Sequence, residues 1–319
     1  MKSLTVDEIL RGTGPGPTQS VGQMSVIPLL GEDSDTLAPP EVEVGTNTYG
    51  SVHLRNEADR PTLIPPGAGW VVAQKAQDHA LGGGALLRPG ETRQIDTAMC
   101  IQQGQGGLIG RARHELLILP AALRATALGV RHVKDFRKLW ESIQAFNKGY
   151  GIDQVGGHLE FFVRAFQKEL DQFVAEFEVV PRQLGAIILV GGRVAGVERA
   201  PSAAFWKTVW GPLVRVCYGS LAIKVARESS APPVTRVPLE VLTQSLAGLR
   251  DALARARDQE RARLDAKVRW LRATVLSEAG EPDDTLGSLS LTTVGSPGLS
   301  GQVVREGREV RFASLSAAA

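Results

Sequence analysis

The spacing of apolar residues changes period several times along this chain, and the clearest change lies between Leu184 and Val225. Ala186 to Val190 is an unbroken apolar run, whereas Arg193 to Val197 alternates polar and apolar positions. Both predict strands. Gly191-Gly192 between them predicts a two-residue hairpin turn, because glycine takes positive φ at little steric cost. Pro201-Ser202 then predicts a helix start, with Phe205, Val209, Leu213 and Val216 falling on one helical face. A hairpin feeding an aromatic-rich helix is a packing unit, not a catalytic motif.

The first third carries shorter periods. Leu4 to Leu10 predicts a short helical turn, ended by the glycine and proline run from Gly12 to Pro17, and the fold proper is expected to start near Ser20. Strands are predicted at Val21 to Leu30, Val42 to Val44, Ser51 to Arg55, Thr62 to Ile64, Ala85 to Leu87 and Thr92 to Ile101, separated by turn formers such as Asn56, Asp59 and Pro61. From about Ala121 the period becomes helical: Phe136, Leu139, Trp140 and Ile143 mark one stripe, and Phe162, Phe166, Leu170, Phe173 and Phe177 another. Pro238 to Val275 reads as one long helix whose arginines alternate with acids, Asp251 four before Arg255 and Asp265 four before Arg269. The tail returns to strands at Ser288 to Val294, Gly301 to Val304 and Glu309 to Leu315, which can pair with the central hairpin in one sheet.

The pattern gives an α+β fold: an antiparallel β-rich, sandwich-like core with a helical insertion and long C-terminal helices. Residues 1–19 are an extension, 20–120 a β-rich half, 121–180 the insertion, and 181–319 the hairpins and helices packed with 20–120 as one unit. A net charge of +2 gives no electrostatic mandate for nucleic acid. Cys100 and Cys217 are far apart and in no CxxC pattern, which excludes a disulfide framework and a cysteine zinc site and fits a reducing cytoplasm. No segment reaches about 18 uninterrupted apolar residues, so no membrane span is expected.

Known catalytic signatures are missing. Gly104 to Gly110 reads GQGGLIG, which is GxGxxxG rather than GxGxxG and has no βαβ context. Asp78 and His79 are adjacent, so on a strand they point to opposite faces and form no dyad. A nucleophile and base pair requires the fold to bring Cys100 to His79 or His114. His158 and Glu160 lack a third ligand at metal spacing, so no metal and no cofactor are expected.

The segments MSVIPLL, VHLRNEADRPTLIPPG, a Lys/Gln run leading to Cys100 and IQQG, GAIILVGGRVAGVERAPSAAFWKTVW, and SGQVVREGREVRFASL together resemble a bacterial family. It is the ARPP domain family, associated with ADP-ribosylglycohydrolases and rhodanese-phosphatases. The resemblance runs from about Ser20 to Ser316 and implies a β-rich domain with a place in the metabolism of NAD-derived nucleotides or ADP-ribose. Gly67-Ala68-Gly69-Trp70 departs from it, lacking the carboxylates expected after the NxxDRP turn. The polar positions left as site candidates are Lys75, Gln77, Asp78, His79, Gln102 and Gln103. Arg193 joins them, with Lys75, as a phosphate partner, while the glycines at 82–84 and 104–110 admit backbone amides. Two functions follow: a protein that binds a small nucleotide, with catalysis open, or a non-catalytic assembly protein that meets a copy of itself or another protein through strand edges and the long helix.

Overall fold

In the computed structural model, residues 3–72, 77–104, 114–229 and 246–317 are described. The strand Gln183–Val190 shows why the chain folds around its middle: all eight residues are buried. Side chains alternate across a strand, so this one must be covered on both faces. Ala186, Ile188 and Val190 join one apolar cluster, and Ile187 and Leu189 join the other. The hairpin to Arg193–Arg199 turns through Gly191 and Gly192, at φ 55° and 73°.

That hairpin is the centre of an eleven-stranded antiparallel sheet assembled from both ends of the chain. On one side Gln183–Val190 pairs with Met24–Gly31. On the other, Arg193–Arg199 pairs with Glu309–Ala317, which continues through Leu299–Glu306 and Leu289–Gly295 to Val275–Glu278 and then Ser3–Thr5. The tail hairpin therefore does share a sheet with the central one. Residues before Ser20 are not a mere extension: Ser3–Thr5 forms the sheet's edge, and Leu4, Val6, Ile9 and Leu10 are buried. Their apolar side chains join Ile187 and Leu189 in one cluster on that face of the sheet.

The first half is not a sandwich. Its strands form three small sheets: Val42–Thr48 with Ser51–Asn56 and Thr92–Ile95, Thr62–Ile64 with Ala85–Leu87, and Ala68–Val72 with His79–Ala80, Met99–Cys100 and His114–Ile118. Strands this short, cut by glycine and proline turns, end before a second continuous layer can form. The run expected from Thr92 to Ile101 is accordingly split into Thr92–Ile95 and Met99–Cys100.

The second aromatic stripe is core throughout, whereas in the first Leu139 and Ile143 are buried, Phe136 and Trp140 are half-buried, and Phe136 lies ahead of the helix. Helices Ala121–Gly129, Trp140–Gly149, Leu159–Ala165 and Gln167–Glu176 bring Phe146, Tyr150, Phe162 and Phe166 into edge-to-face and tilted contacts with ring centroids 4.7–5.7 Å apart. Ser202 caps the next helix, Ala203–Pro212, by accepting from the Phe205 N–H at 3.2 Å. Pro212 brings no N–H, and the helix widens directly after it into a π-turn, Leu213–Tyr218, before resuming as Gly219–Glu228.

Among the described residues only one C-terminal helix is long, Leu246–Arg272, where several were expected; positions 238–245 of the expected helix lie outside the described residues. Leu264, Val268 and Leu271 seat its last turns on the sheet, while described side chains from Arg250 to Arg263 are exposed except Ala252. The Asp251–Arg255 and Asp265–Arg269 pairs expected along it are not among the ion pairs formed, in keeping with the small gain such solvated pairs offer.

Candidate functional site

His79–Ala80 lies between Ala68–Val72 and Met99–Cys100, with His79 opposite both Trp70 and Cys100. Asp78 lies just ahead of this strand, so the alternation expected of the pair does not apply, and the two residues have different hydrogen-bond partners. Asp78 Oδ1 accepts from the Val72 N–H at 2.8 Å. His79 Nε2 accepts from the Gly50 N–H at 3.1 Å and its Nδ1 lies 3.0 Å from the Gln77 carbonyl. This arrangement fixes the tautomer protonated at Nδ1.

Cys100 Sγ is 3.5 Å from His79 Nε2, so the fold does bring the two together. Both are fully buried. Burial holds the His79 pKa down to about 4 and pushes the Cys100 thiol up to about 11, with the Gly50 N–H and the Gln77 amide offsetting only part of the latter. A protonated, enclosed thiol beside a neutral imidazole whose lone pair is already taken is not an activated nucleophile. This site is arranged to hold hydrogen bonds.

Its stability depends on pH in a calculable direction. The folded-state pKa of His79 lies below the ordinary 6.5, so the unfolded chain binds the proton more tightly. The stability from this residue is complete above about pH 6.5 and falls as pH drops toward 4, by about 3 kcal/mol. Urea midpoints measured from pH 7.5 to 4 are expected to show this loss, and a His79→Gln variant is expected to flatten that part of the slope. An unchanged slope in the variant would remove His79 as its source.

Beside this pair, Gln77 and Gln102 are 1% and 3% exposed. Gln77 Nε2 donates to the Gln102 carbonyl at 3.1 Å. Among the described residues the side-chain oxygens of both glutamines, which are buried, have no hydrogen-bond partner, and leaving such an acceptor unmet costs about 1–3 kcal/mol. Gln103 plays a different part, since its Oε1 accepts from the Gly157 N–H at 2.8 Å and fixes the loop ahead of helix Leu159–Ala165. His158 stacks on Phe161 at 4.6 Å, and Glu160 pairs with Arg164. Among the described residues no group of three His, Cys, Asp or Glu is placed to hold a metal.

Thus Gln77, Asp78, His79 and Gln102, separated by up to 25 positions, meet in one buried polar cluster with Gln103 at its margin. Lys75 and residues 105–110 lie outside the described residues. Arg193 is not part of this cluster; it lines a separate groove with Lys267 and Trp270. The triple glycine faces a cleft of about 240 Å³, yet its backbone is used for packing. A Cβ on Gly82 would stand 2.2 Å from the Ala127 carbonyl oxygen, and the Gly84 N–H already donates to Gln302 Oε1 at 2.7 Å. The cleft's arginines are neutralised, Arg131 by Asp283 and Arg93 by Asp284, each at 2.7 Å. A phosphate there meets no uncompensated guanidinium.

Sequence reasoning missed a second polar cluster entirely. Arg124, Glu198, Tyr218 and Ser314 are all at most 5% exposed. Arg124 Nη1 donates to Glu198 Oε1 at 2.8 Å, Tyr218 donates to the same oxygen at 2.6 Å, and Ser314 donates to Oε2 at 2.5 Å. Burial alone would lower the Arg124 pKa, but Glu198 beside it holds it well above the usual value. The available signal was an arginine in the otherwise small and apolar helix AALRATALG.

No helix of the described residues is long and apolar enough to cross a membrane. No curated protein and no solved structure is significantly similar to the chain. A family model does match, the ARG and Rhodanese-Phosphatase-superfamily-associated Protein domain, over residues 14–292. That span includes the central hairpin, the buried glutamine cluster and the long helix, and by it the chain belongs to the ARPP-1 family.

Proposed function

We propose that this chain is a ligand-binding protein of a bacterial accessory pathway linked to NAD-derived nucleotides or ADP-ribose. The observation that carries the reading is the pair of buried amide oxygens on Gln77 and Gln102, which have no partner among the described residues. Both are acceptors, so they call for a ligand that brings N–H donors, such as the amino group of adenine or the carboxamide of a nicotinamide. Membership of a family named for its association with these superfamilies supports the same direction. Hydrogen bonding, not nucleophilic attack, is the role that the state of Cys100 and His79 leaves to the cluster.

The decisive measurements are calorimetric titration and thermal shift of the full chain with ADP-ribose, NAD and AMP. A saturable rise in melting temperature is expected, because a ligand that binds only the folded state stabilises it. Gln102→Met is expected to weaken binding by about tenfold, the worth of one buried hydrogen bond. Absence of any shift with all three nucleotides sinks the proposal. The assembly reading keeps one specific support: the described side chains of the long helix from Arg250 to Arg263 are exposed, except Ala252. A homogeneous oligomer in light scattering, with no nucleotide bound, would favour it.

A further inference from the structure

A groove of about 690 Å³ opens where three local structures meet: the central hairpin's turn, the end of the long helix, and the Ser296–Gly298 turn. The volume is in the range of small-molecule sites. Leu271 and Leu299 form a buried floor, while Trp270 is 72% exposed. An exposed tryptophan over an apolar floor is unused binding surface.

The charges are all of one sign and at one end. Arg193 follows Gly192 in the hairpin turn, and Lys267 Nζ donates to the Gly192 carbonyl, so both cations flank the same rim. Among the described residues no acidic side chain lines the groove, and Arg193 forms no ion pair. Trp270 and Leu271 lie three and four positions after Lys267, on the same helical face. The helix's terminal carbonyls at Trp270 and Leu271 accept from Ala273 and Thr274, and the exposed Arg193 side chain meets no partner among the described residues.

We propose that this groove binds a small amphipathic anion: an aromatic or acyl body ending in a carboxylate, sulfonate or phosphate. The body lies on Leu271, Leu299 and Trp270, and the anionic end meets Arg193. Thr274 and Ser296 are the only hydroxyl side chains among the described lining residues. They are too few for the hydroxyl-rich sugar of a nucleotide, so this site is separate from the glutamine cluster.

Dodecanoate and dodecanol are the probes, titrated calorimetrically into the full chain. One saturable dodecanoate site is expected, with the alcohol bound at least about tenfold more weakly because it forgoes the charge-assisted hydrogen bond. Arg193→Gln is expected to remove most of that preference, and Trp270→Ala to weaken both probes. Both changes are at exposed positions, and thermal melts verify the fold. Gln102→Met is expected to leave dodecanoate binding unchanged, which separates this site from the nucleotide reading. Equal affinity for acid and alcohol, or an Arg193→Gln variant indistinguishable from the parent, would overturn the proposal. So would a dimer that buries Trp270 and excludes dodecanoate.

Discussion

A chain ending at Gly287 is expected to lose its cooperative thermal transition altogether. The removed residues include Leu289–Gly295, Leu299–Glu306 and Glu309–Ala317, three adjacent strands inside the large sheet. Without them Val275–Glu278 and Ser3–Thr5 have no neighbour on the inner side, and Arg193–Arg199 becomes a raw edge. Leu291, Val304 and Phe312 leave one apolar cluster and Val294, Leu299, Val303 and Leu315 leave the other. Each such side chain contributes about 1.5–3 kcal/mol when buried, so together they match or exceed the roughly 5–15 kcal/mol that keeps a protein folded. Circular dichroism melts of the truncated and full chains decide the matter. A truncated chain with a full, sharp transition would mean that the tail strands are dispensable, contrary to this topology.

The second large effect is expected at Glu198. Removing its carboxylate in Glu198→Ala leaves the Arg124 guanidinium buried and uncompensated, which costs about 3–5 kcal/mol. Tyr218 and Ser314 lose their acceptor at the same time. The network has little room to rehydrate, since the spaces next to it offer only about 10 Å³ each, the lower limit for admitting a single water. Gly196 shows how tightly it is closed, as a Cβ there would stand 1.9 Å from the Tyr218 hydroxyl. Combining Arg124→Met with Glu198→Leu is expected to recover part of the loss, because no charge then remains buried. Urea midpoints of the three proteins supply the comparison. A Glu198→Ala protein as stable as the parent would show that Arg124 reaches water, and the closed network would have to be abandoned.

The two sides of this protein differ in how far the sequence discloses them. Its central hairpin, the Ser202 cap and the aromatic helices follow from residues within a few positions of one another. A Gly-Gly turn, a serine before an apolar stripe and a phenylalanine every three or four positions each act through local sterics or local hydrogen bonds. The candidate cluster was half legible. Its residue types stood out as polar positions in an apolar context, but their convergence depends on strands pairing across 21 positions, Cys100 against His79.

Other features were decided by tertiary structure alone. Arg124 meets Glu198 across 74 positions and Ser314 across 190. No periodicity links such residues, because contact across those distances exists only once the sheet has been assembled from both chain ends. The same reason hid the groove: Arg193, Lys267 and Ser296 belong to three separate elements. It also made Ser3–Thr5, within the expected extension, an edge of the sheet, since a short amphipathic segment acquires a place only when a partner strand offers one. The sequence by itself determined the local elements, the turns between them and which faces were apolar. Tertiary structure decided which faces met, and hence which polar side chains were buried together, because that choice is made by burial and pairing between segments far apart in the chain.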